Sequence, residues 1–540
     1  MVNLRRATVL VLLLSALMVG PASGGFTPPA LKGTPQFVIS GHGWGHAVGM
    51  GQWGAYGYAQ HGVTYDKILA HYYPGTELVT TTVKSIRVLL ANTKSVTISS
   101  TGPWKLKDGT AATTTLPAGQ MTLNPQLKFK LPGATEAQTF TGPLTFTAAS
   151  PLVFKKPYRG TFTVTSDGKK VTLVNTLPLE QYLYGVVPSE MPRAWLPEAL
   201  KAQAVAARSY ALAVRKTTGA FDVYPDTRSQ VYGGVNAESP VTTAAVDATA
   251  GDVLNYGGRI AVTYFFSTSG GRTAAISDVW KSAPVPYLVS VPDPYDSLSP
   301  YHDWGPFAFS AAKLKTALKV PGRLLDLQTT LNASERVDSV QAIGENGERT
   351  ISGPEMRTAL GLRSTWFSVG VLALDPLPAT TLAYGTPFKL TGLGRAVSGL
   401  RLEQRPPGTS DWVLNRAIDV DGDGSFSVAV KATAPEEFRV TSGTVSTPST
   451  KLVVAPQVSL AVSSDLSTLR GTVRPSLPAA PVQIQQQNES TGRWATVAKV
   501  NTNRGGRFSL TPALLSGVYR ARVAAGNGWA VGVSTTVPVQ

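Results

Sequence analysis

The chain of 540 residues has no cysteine at all, which excludes stabilisation by disulfides and removes the thiolate as a metal ligand. Charged residues are scarce at 15%, whereas glycine (52) and proline (39) are plentiful; with abundant Thr and Val, this composition favours β structure rich in turns. Long apolar runs are missing too, apart from Ala7–Val19. That run follows Arg5 and Arg6 and precedes the small-residue stretch Pro21–Gly25, the pattern of a secretory signal peptide spanning residues 1–24. It is too short for a comfortable membrane span, so the mature chain is expected to be secreted or extracellular with no transmembrane segment. No RNP motif, zinc finger or helix-turn-helix pattern is present, and nucleic acid is therefore not an expected partner. The formal charge of +16 points instead to an anionic polymer such as a wall polysaccharide, or to a membrane surface.

What is present falls into segments. Residues 36–78 form a Gly-rich unit. Residues 83–177 alternate Val/Thr/Ile/Phe runs with turns such as Lys107-Asp-Gly109 and Ser166-Asp-Gly168, predicting strands and hairpins. A helix is predicted from Glu198 to about Lys216, with Pro197 suited to its first turn and Gly219 as its stop. Lys201, Arg208 and Arg215 recur every seven residues and lie along one stripe, which predicts a helix buried on one side and cationic on another. Just before it, Pro188 and Pro192 bracket one carboxylate, Glu190, in a Pro-punctuated turn. On composition alone, a packed helix behind an exposed loop carboxylate is the favoured reading of this stretch.

From about residue 370 helix signals nearly vanish. Ser398–Val430 and Pro481–Leu510 repeat one order of strand, Trp (Trp412, Trp494), strand, Gly-turn and Phe-Ser strand, predicting two small β-sandwich modules. Asp419, Asp421, Asp423 and Gly424 match the opening of a calcium loop, but position 12 is Val430 rather than a bidentate Glu, so a polar hairpin tip is the better reading.

Residues 41–62 read GHGWGHAVGMGQWGAYGYAQHG. Four of the five histidines, His42, His46, His61 and His71, fall here or just after, which raises a zinc hypothesis. A His-x3-His pair in a Gly loop does not converge two rings on one ion, and no metal or other cofactor is expected. The better reading is a polar groove in which neutral His42 and His46 act with Gln52. Trp44, Trp53 and Tyr56 would give it flat walls for sugar rings.

Several of these stretches together resemble the SpoIID/LytB family of peptidoglycan-acting proteins. They are Val-Val-Pro-Ser-Glu-Met-Pro192, Glu198-Ala-Leu-Lys-Ala-Gln-Ala-Val-Ala-Ala-Arg208, Ser229-Gln-Val-Tyr-Gly233, Ala248-Thr-Ala-Gly251, Phe266-Ser-Thr-Ser-Gly-Gly-Arg-Thr273, Pro286-Tyr-Leu288 and Gly361-Leu-Arg-Ser-Thr365. The segments 41–55 and 71–76 resemble the family's other hallmark. The resemblance covers about residues 36–369 and implies an α+β, β-rich SpoIID-like catalytic domain there, followed by two small all-β sandwich (Ig-like) modules at 370–455 and 456–540.

The motif order departs from the family, because the Gly/His motif ordinarily follows the Leu-Gly-Leu-Arg-Ser-Thr segment. A circular permutation is the simplest account. It predicts that residues 38–56 pack beside Phe367-Ser-Val369 and return to the groove holding Glu190.

The resemblance also implies a lytic transglycosylase acting on denuded peptidoglycan glycan strands, associated with the cell wall. Glu190 would be its one catalytic acid, with a pKa raised by burial against Met191, Trp195 or Tyr182. Lys201 and Arg208 would orient substrate acyl or lactyl groups. Gln203, Gln230, Tyr232 and Ser267, with His42, His46, Gln52 and Trp53, would line the groove. LytB-type relatives imply the alternative, a non-catalytic glycan-binding enhancer of a cell-wall amidase. A third reading is a mainly structural wall protein that binds through residues 370–540.

Overall fold

The computed structural model describes residues 32–377, 379, 381–464, 467–511 and 515–539; the signal-peptide segment 1–24 lies outside them. Strands make up 42% and helices 16% of the chain, consistent with the β-rich α+β class that the family resemblance implies. Among the described residues no helix is long and apolar enough to cross a membrane.

The first strand, Gln36–His42, alternates buried Phe37 and Ile39 with less buried neighbours, and it is paired along both edges. On one side it runs antiparallel to Asp303–Ser310; on the other it runs antiparallel to Phe367–Leu374, with Ile39 opposite Val369 and Gly41 opposite Phe367. The juxtaposition that the altered motif order predicts is therefore present. The same sheet continues through Pro387–Arg395 to Ser425–Lys431. Residue 370 thus falls inside a strand. Val38, Leu372 and Leu374 pack into one core with Phe388, Leu390 and Phe438 from beyond it.

Residues 85–178 build six- and four-stranded antiparallel sheets around Trp104, Phe146 and Phe162. From the last strand, Val171–Pro178, the chain passes directly into helix α3 (Leu179–Glu190). Helices α1 (Gln52–Gln60) and α2 (Tyr65–Tyr72) precede it in sequence; α4 (Pro197–Val214) and α5 (Pro240–Asp247) follow. Helix α4 matches its predicted span to within two residues at the C-terminal end, and its Arg215 cap turns extended (φ −57°, ψ 141°). It is a central helix in contact with α1, α2, α3 and α5. Its buried residues, half of them Ala, circle the axis, and the small side chains let four neighbours approach closely.

Two local features depart from the sequence reading. Residues 52–60 form a helix not assigned from the sequence: the two internal glycines, costing about 1 kcal/mol each relative to Ala, allow contacts that a side chain forbids. A Cβ on Gly54 would meet the Asp293 carboxylate and the Tyr72 hydroxyl, and one on Gly57 would lie 2.4 Å from the Tyr295 carbonyl oxygen. Glu190 is not in a turn but is the last residue of α3, with Pro188 inside the helix. A proline so near the end costs a single ladder bond, and the chain turns extended at Met191 (φ −132°, ψ 140°).

No helix follows Phe367 among the described residues. The repeat is visible in three dimensions: Leu400–Arg405 pairs with Val413–Ala417, and Pro481–Gln487 with Trp494–Asn501. Trp412 lies between the guanidiniums of Arg405 and Arg439 (4.4 and 4.3 Å), and Trp494 packs on that of Arg520 (4.1 Å). The Asp421–Ser425 stretch is not a hairpin tip, because the strands it joins, Val413–Ala417 and Ser425–Lys431, pair in different sheets; it is a polar connecting turn closed by Gly424 N–H to the Asp421 carbonyl and Ser425 N–H to the Asp423 carboxylate.

Because the five-stranded sheet and its core cross residue 370, ending the chain after Asp375 should bare the Phe367–Leu374 edge together with Val38 and Leu372. The expected result is a lowered Tm and concentration-dependent association by light scattering; a monomer with unchanged Tm would show the sheet to be separable there.

Candidate functional site

Glu190 sits half-buried at the end of α3, where three further pieces of chain converge on it. The Val231 N–H donates to its Oε1 at 2.8 Å. Gln52, the first residue of α1, donates from Nε2 to the Glu190 carbonyl oxygen at 2.9 Å and to Gln203 Oε1 at 3.3 Å. Gln230 donates from Nε2 to the Ala207 carbonyl on α4 at 2.9 Å. Along α4, Gln203, Ala207 and Tyr210 are spaced i, i+4, i+7 and share one face. Desolvation pushes the Glu190 carboxyl above the usual carboxylate range, and the Val231 bond only partly offsets this. The end of α3 adds to it, since the C-terminal end of a helix dipole disfavours an anion.

Around this carboxyl the chain leaves buried polar atoms without partners: the Tyr182 hydroxyl, Gln203 Nε2 and Gln230 Oε1 all lack one among the described residues. A buried polar group without a partner is costly. Their gathering at the acid is what a polar binding site requires. The Glu190 charge contributes to raising both Tyr182 and Tyr210, after burial itself. Beside the acid, Trp53, Tyr56 and Trp195 form an aromatic wall. The Tyr56 and Trp195 rings stack at 4.7 Å, and Trp53 meets Trp195 at 4.8 Å.

Other candidates from the sequence take different places. Arg208 is wholly buried; it binds both oxygens of Glu180 and the Asp252 and Val246 carbonyls. The cationic stripe is thus not a ligand-facing surface, because its middle member joins α3 to α4. Lys201 binds Glu198 Oε1 at 2.7 Å while the other Glu198 oxygen accepts the Tyr65 N–H at the start of α2. At 100° per residue it points some 200° away from Gln203, off the Glu190 side. Tyr232 is buried between Tyr158 and Tyr182, with its hydroxyl on Asn175. Ser267 serves through its carbonyl, which accepts the Trp53 N–H.

The two histidines do not form a groove with Gln52. His42 is exposed, with Nδ1 2.6 Å from Asp303. His46 lies among Tyr264, Phe266 and Trp280, accepts the Val48 N–H, and is lowered to about 4 by burial, which keeps it neutral. His61 and His71 have partners of their own in Gly57 and in Tyr58 with Pro292. No group of three or more His, Asp or Glu among the described residues is arranged to hold a metal ion.

Sequence reasoning missed the Val231 N–H, Tyr210 and a buried acidic pair. The i, i+7 spacing of Gln203 and Tyr210 was a usable signal; a backbone donor from a distant loop leaves none. In the pair, Asp293 accepts from the Tyr72 hydroxyl at 2.8 Å, while its Oδ2 has no partner among the described residues. Asp296 accepts from the Ser269 and Gly270 N–H groups and meets His302 Nδ1 at 3.0 Å. Burial first, then the Asp296 charge, raises Asp293 to about 7.

With this geometry in place, comparison with known proteins identifies the class. The family model described as "SpoIID: Stage II sporulation protein" matches residues 167–256, the segment that supplies Glu190, α4 and Val231. Stage II sporulation protein D of Bacillus subtilis (strain 168) is 34% identical over 233 residues, covering 39% of this chain and 66% of that protein. Its counterpart from Bacillus amyloliquefaciens is 35% identical over 213 residues, covering 36% and 60%. The B. subtilis amidase enhancer is 46% identical over 115 residues, covering 21% of this chain and 15% of that one. The chain spans less than two thirds of the length of each of these relatives. It belongs to the SpoIID/LytB family.

Two stability outcomes follow from the buried charges. Replacing Arg208 by Met leaves Glu180 of α3 without its cation and with only the Gly251 N–H, and urea unfolding should show a loss of about 3 kcal/mol, from the lower end of the range for broken buried pairs because Glu180 is partly exposed. Arg208→Lys should recover only part of it, since one ammonium cannot serve both carbonyls and the carboxylate. Asp293 has a folded pKa above its unfolded value near 4. The native state therefore holds the extra proton between about pH 4 and pH 7, and its contribution to stability declines as pH rises through that window. Asp293→Asn removes the titration, so its Tm relative to wild type should climb from pH 4 to pH 7 and level off above; a constant difference would refute the assignment.

Proposed function

We propose that the chain is a secreted, cell-wall-associated lytic transglycosylase that cleaves denuded peptidoglycan glycan strands, with Glu190 as its acid and base. The observation that carries this reading is the desolvated Glu190 carboxyl ringed by the unpartnered Tyr182, Gln203 and Gln230 groups. Burial favours a carboxyl that begins protonated. Val231 N–H fixes Oε1, so that Oε2 is the oxygen turned to substrate. The acid gives its proton to the glycosidic oxygen as the bond from C1 of N-acetylmuramic acid breaks. The resulting carboxylate then takes the proton of that sugar's 6-hydroxyl, O6 bonds to C1, and a 1,6-anhydro ring closes without water. One carboxyl serves both steps, in contrast to glycosidases that need two at a set separation. The Trp53, Tyr56 and Trp195 rings give sugar faces a surface to stack on, and the formal charge of +16 suits an anionic wall. Residues 36–369 would carry the activity and the two β units, read as Ig-like sandwiches, would hold the chain to the wall.

A second reading is favoured by one observation, the 46% identity to the amidase enhancer. Here the same groove binds glycan without turnover and assists a cell-wall amidase.

Digestion of denuded glycan followed by mass analysis separates the two. Wild type should release anhydro-ended fragments and Glu190→Gln should reduce their rate by 10²-fold or more, on the order expected for loss of a general acid–base; the wild-type rate should decline as pH rises through the raised Glu190 pKa. Glycan binding by wild type with no anhydro ends would replace the enzyme by the enhancer.

A further inference from the structure

The Gly/His motif divides between two places. Its second half, from Met50 onward, delivers Gln52 and Trp53 to Glu190. Its first half goes elsewhere. Trp44 is 40% exposed, and its ring stands edge-on to Tyr301 at 4.4 Å. Arg363 lies against both, its guanidinium 4.3 Å from the Tyr301 ring and 5.1 Å from that of Trp44. Among the described residues the Arg363 side chain has no hydrogen bond or ion pair, and its Nε is buried without a partner. A cation held on two aromatic faces and left without a carboxylate is unlike Arg208, Arg336 or Arg395, each of which is bonded within the chain. Its backbone is fixed, since the Arg363 carbonyl accepts the Gly45 N–H at 3.1 Å.

This platform is joined to the Glu190 site by one short piece of backbone. Trp44 exchanges both hydrogen bonds with Thr268, at 2.8 and 3.1 Å, and the Trp53 N–H donates to the Ser267 carbonyl at 3.0 Å. The two tryptophans are therefore anchored to consecutive residues whose Cα atoms are about 3.8 Å apart.

We infer that Trp44, Tyr301 and Arg363 form a second glycan subsite that takes a carboxylate-bearing amino sugar of the same strand. It stacks the ring on Trp44 and pairs the lactyl carboxylate with Arg363. The neighbouring anchors at Ser267 and Thr268 are then the path by which a polymer lying on Trp53 continues onto Trp44. The inference rests on the glycan reading of the Glu190 site and deepens it. An aromatic face supplies the non-specific part of the contact; a guanidinium with free N–H donors selects the charged sugar over a neutral one. The exposed His42–Asp303 pair lies two residues from Trp44 and from Tyr301 in sequence, and the selectivity for a charged sugar is assigned to Arg363.

The test uses full-length Glu190→Gln protein, which holds its ligand uncleaved, and isothermal titration with denuded glycan fragments of two and six sugars, plus a six-sugar N-acetylglucosamine oligomer. Adding Trp44→Ala should weaken the lactyl-bearing hexasaccharide about tenfold and leave the disaccharide unchanged. Arg363→Gln should weaken the lactyl hexasaccharide but not the neutral oligomer. Trp44→Phe keeps an aromatic face and should retain most of the affinity, which separates stacking from misfolding. Equal losses on short and long ligands, or equal effects of Arg363→Gln on charged and neutral ones, would overturn the subsite. Cleavage plays no part in these measurements, so they stand or fall apart from the anhydro-product assay.

Discussion

The site depends on the double pairing of Gln36–His42. A strand bonded along both edges cannot slip by one residue without turning Phe37 and Ile39 out of the core. That register fixes where the chain leaves at His42, and so where the following residues can go. Ser364 and Trp366 then hold His42 from beneath, through Ser364 Oγ to the His42 carbonyl and the His42 N–H to the Trp366 carbonyl. Only with this entry point set can Gln52, ten residues on, reach Glu190 from a segment 138 positions away in sequence.

At Glu190 three effects compete. Burial and the C-terminal end of α3 favour the neutral acid, and the Val231 N–H favours the anion. Burial is the largest, so the net direction is upward. It would not be so in an open turn, where water solvates the carboxylate, and this is why the helical placement of Glu190 matters to its chemistry. The unpartnered amides and hydroxyl around it carry the same logic. Gln203 and Gln230 each spend one end on the protein and keep the other unbonded, so both are oriented while retaining a polar atom for a ligand.

Much of this was legible in the sequence. The Ala-rich run with Pro197 at its start gave α4 nearly to the residue, and the out-of-place Gly/His motif forecast contact with Phe367 and with Glu190. What was misread shares one cause. A seven-residue spacing says that Lys201 and Arg208 share a face but not what that face meets; here it meets Glu198 and Glu180, and Arg208 is buried within the protein. His42 and His46 looked like a pair because they are close in sequence, yet a Gly-rich segment with Gly43 at φ 72° and Gly45 at φ 124° turns between them and sends them to different surroundings. Helix α1 was hidden because its Gly54 and Gly57 are breakers by propensity, and tertiary contact outweighs propensity there.

That tertiary contact is the buried acidic pair. Asp293 presses its carboxyl against Gly51 and Gly54 at the N-terminal end of α1 and accepts from Tyr72 of α2. Asp296 binds two successive N–H groups, of Ser269 and Gly270. The pair thus ties α1, α2 and the 267–270 segment together. Of these, α1 carries Gln52, and the 267–270 segment carries the anchors of both Trp53 and Trp44. The dipole at the start of α1 favours charge on Asp293, but desolvation and the Asp296 charge win and hold it near neutrality. A carboxyl that is partly protonated at pH 7 is a weaker obstacle to close packing than a full anion. It lets α1 approach until only glycine fits, which sets the depth at which Gln52 meets the Glu190 carbonyl.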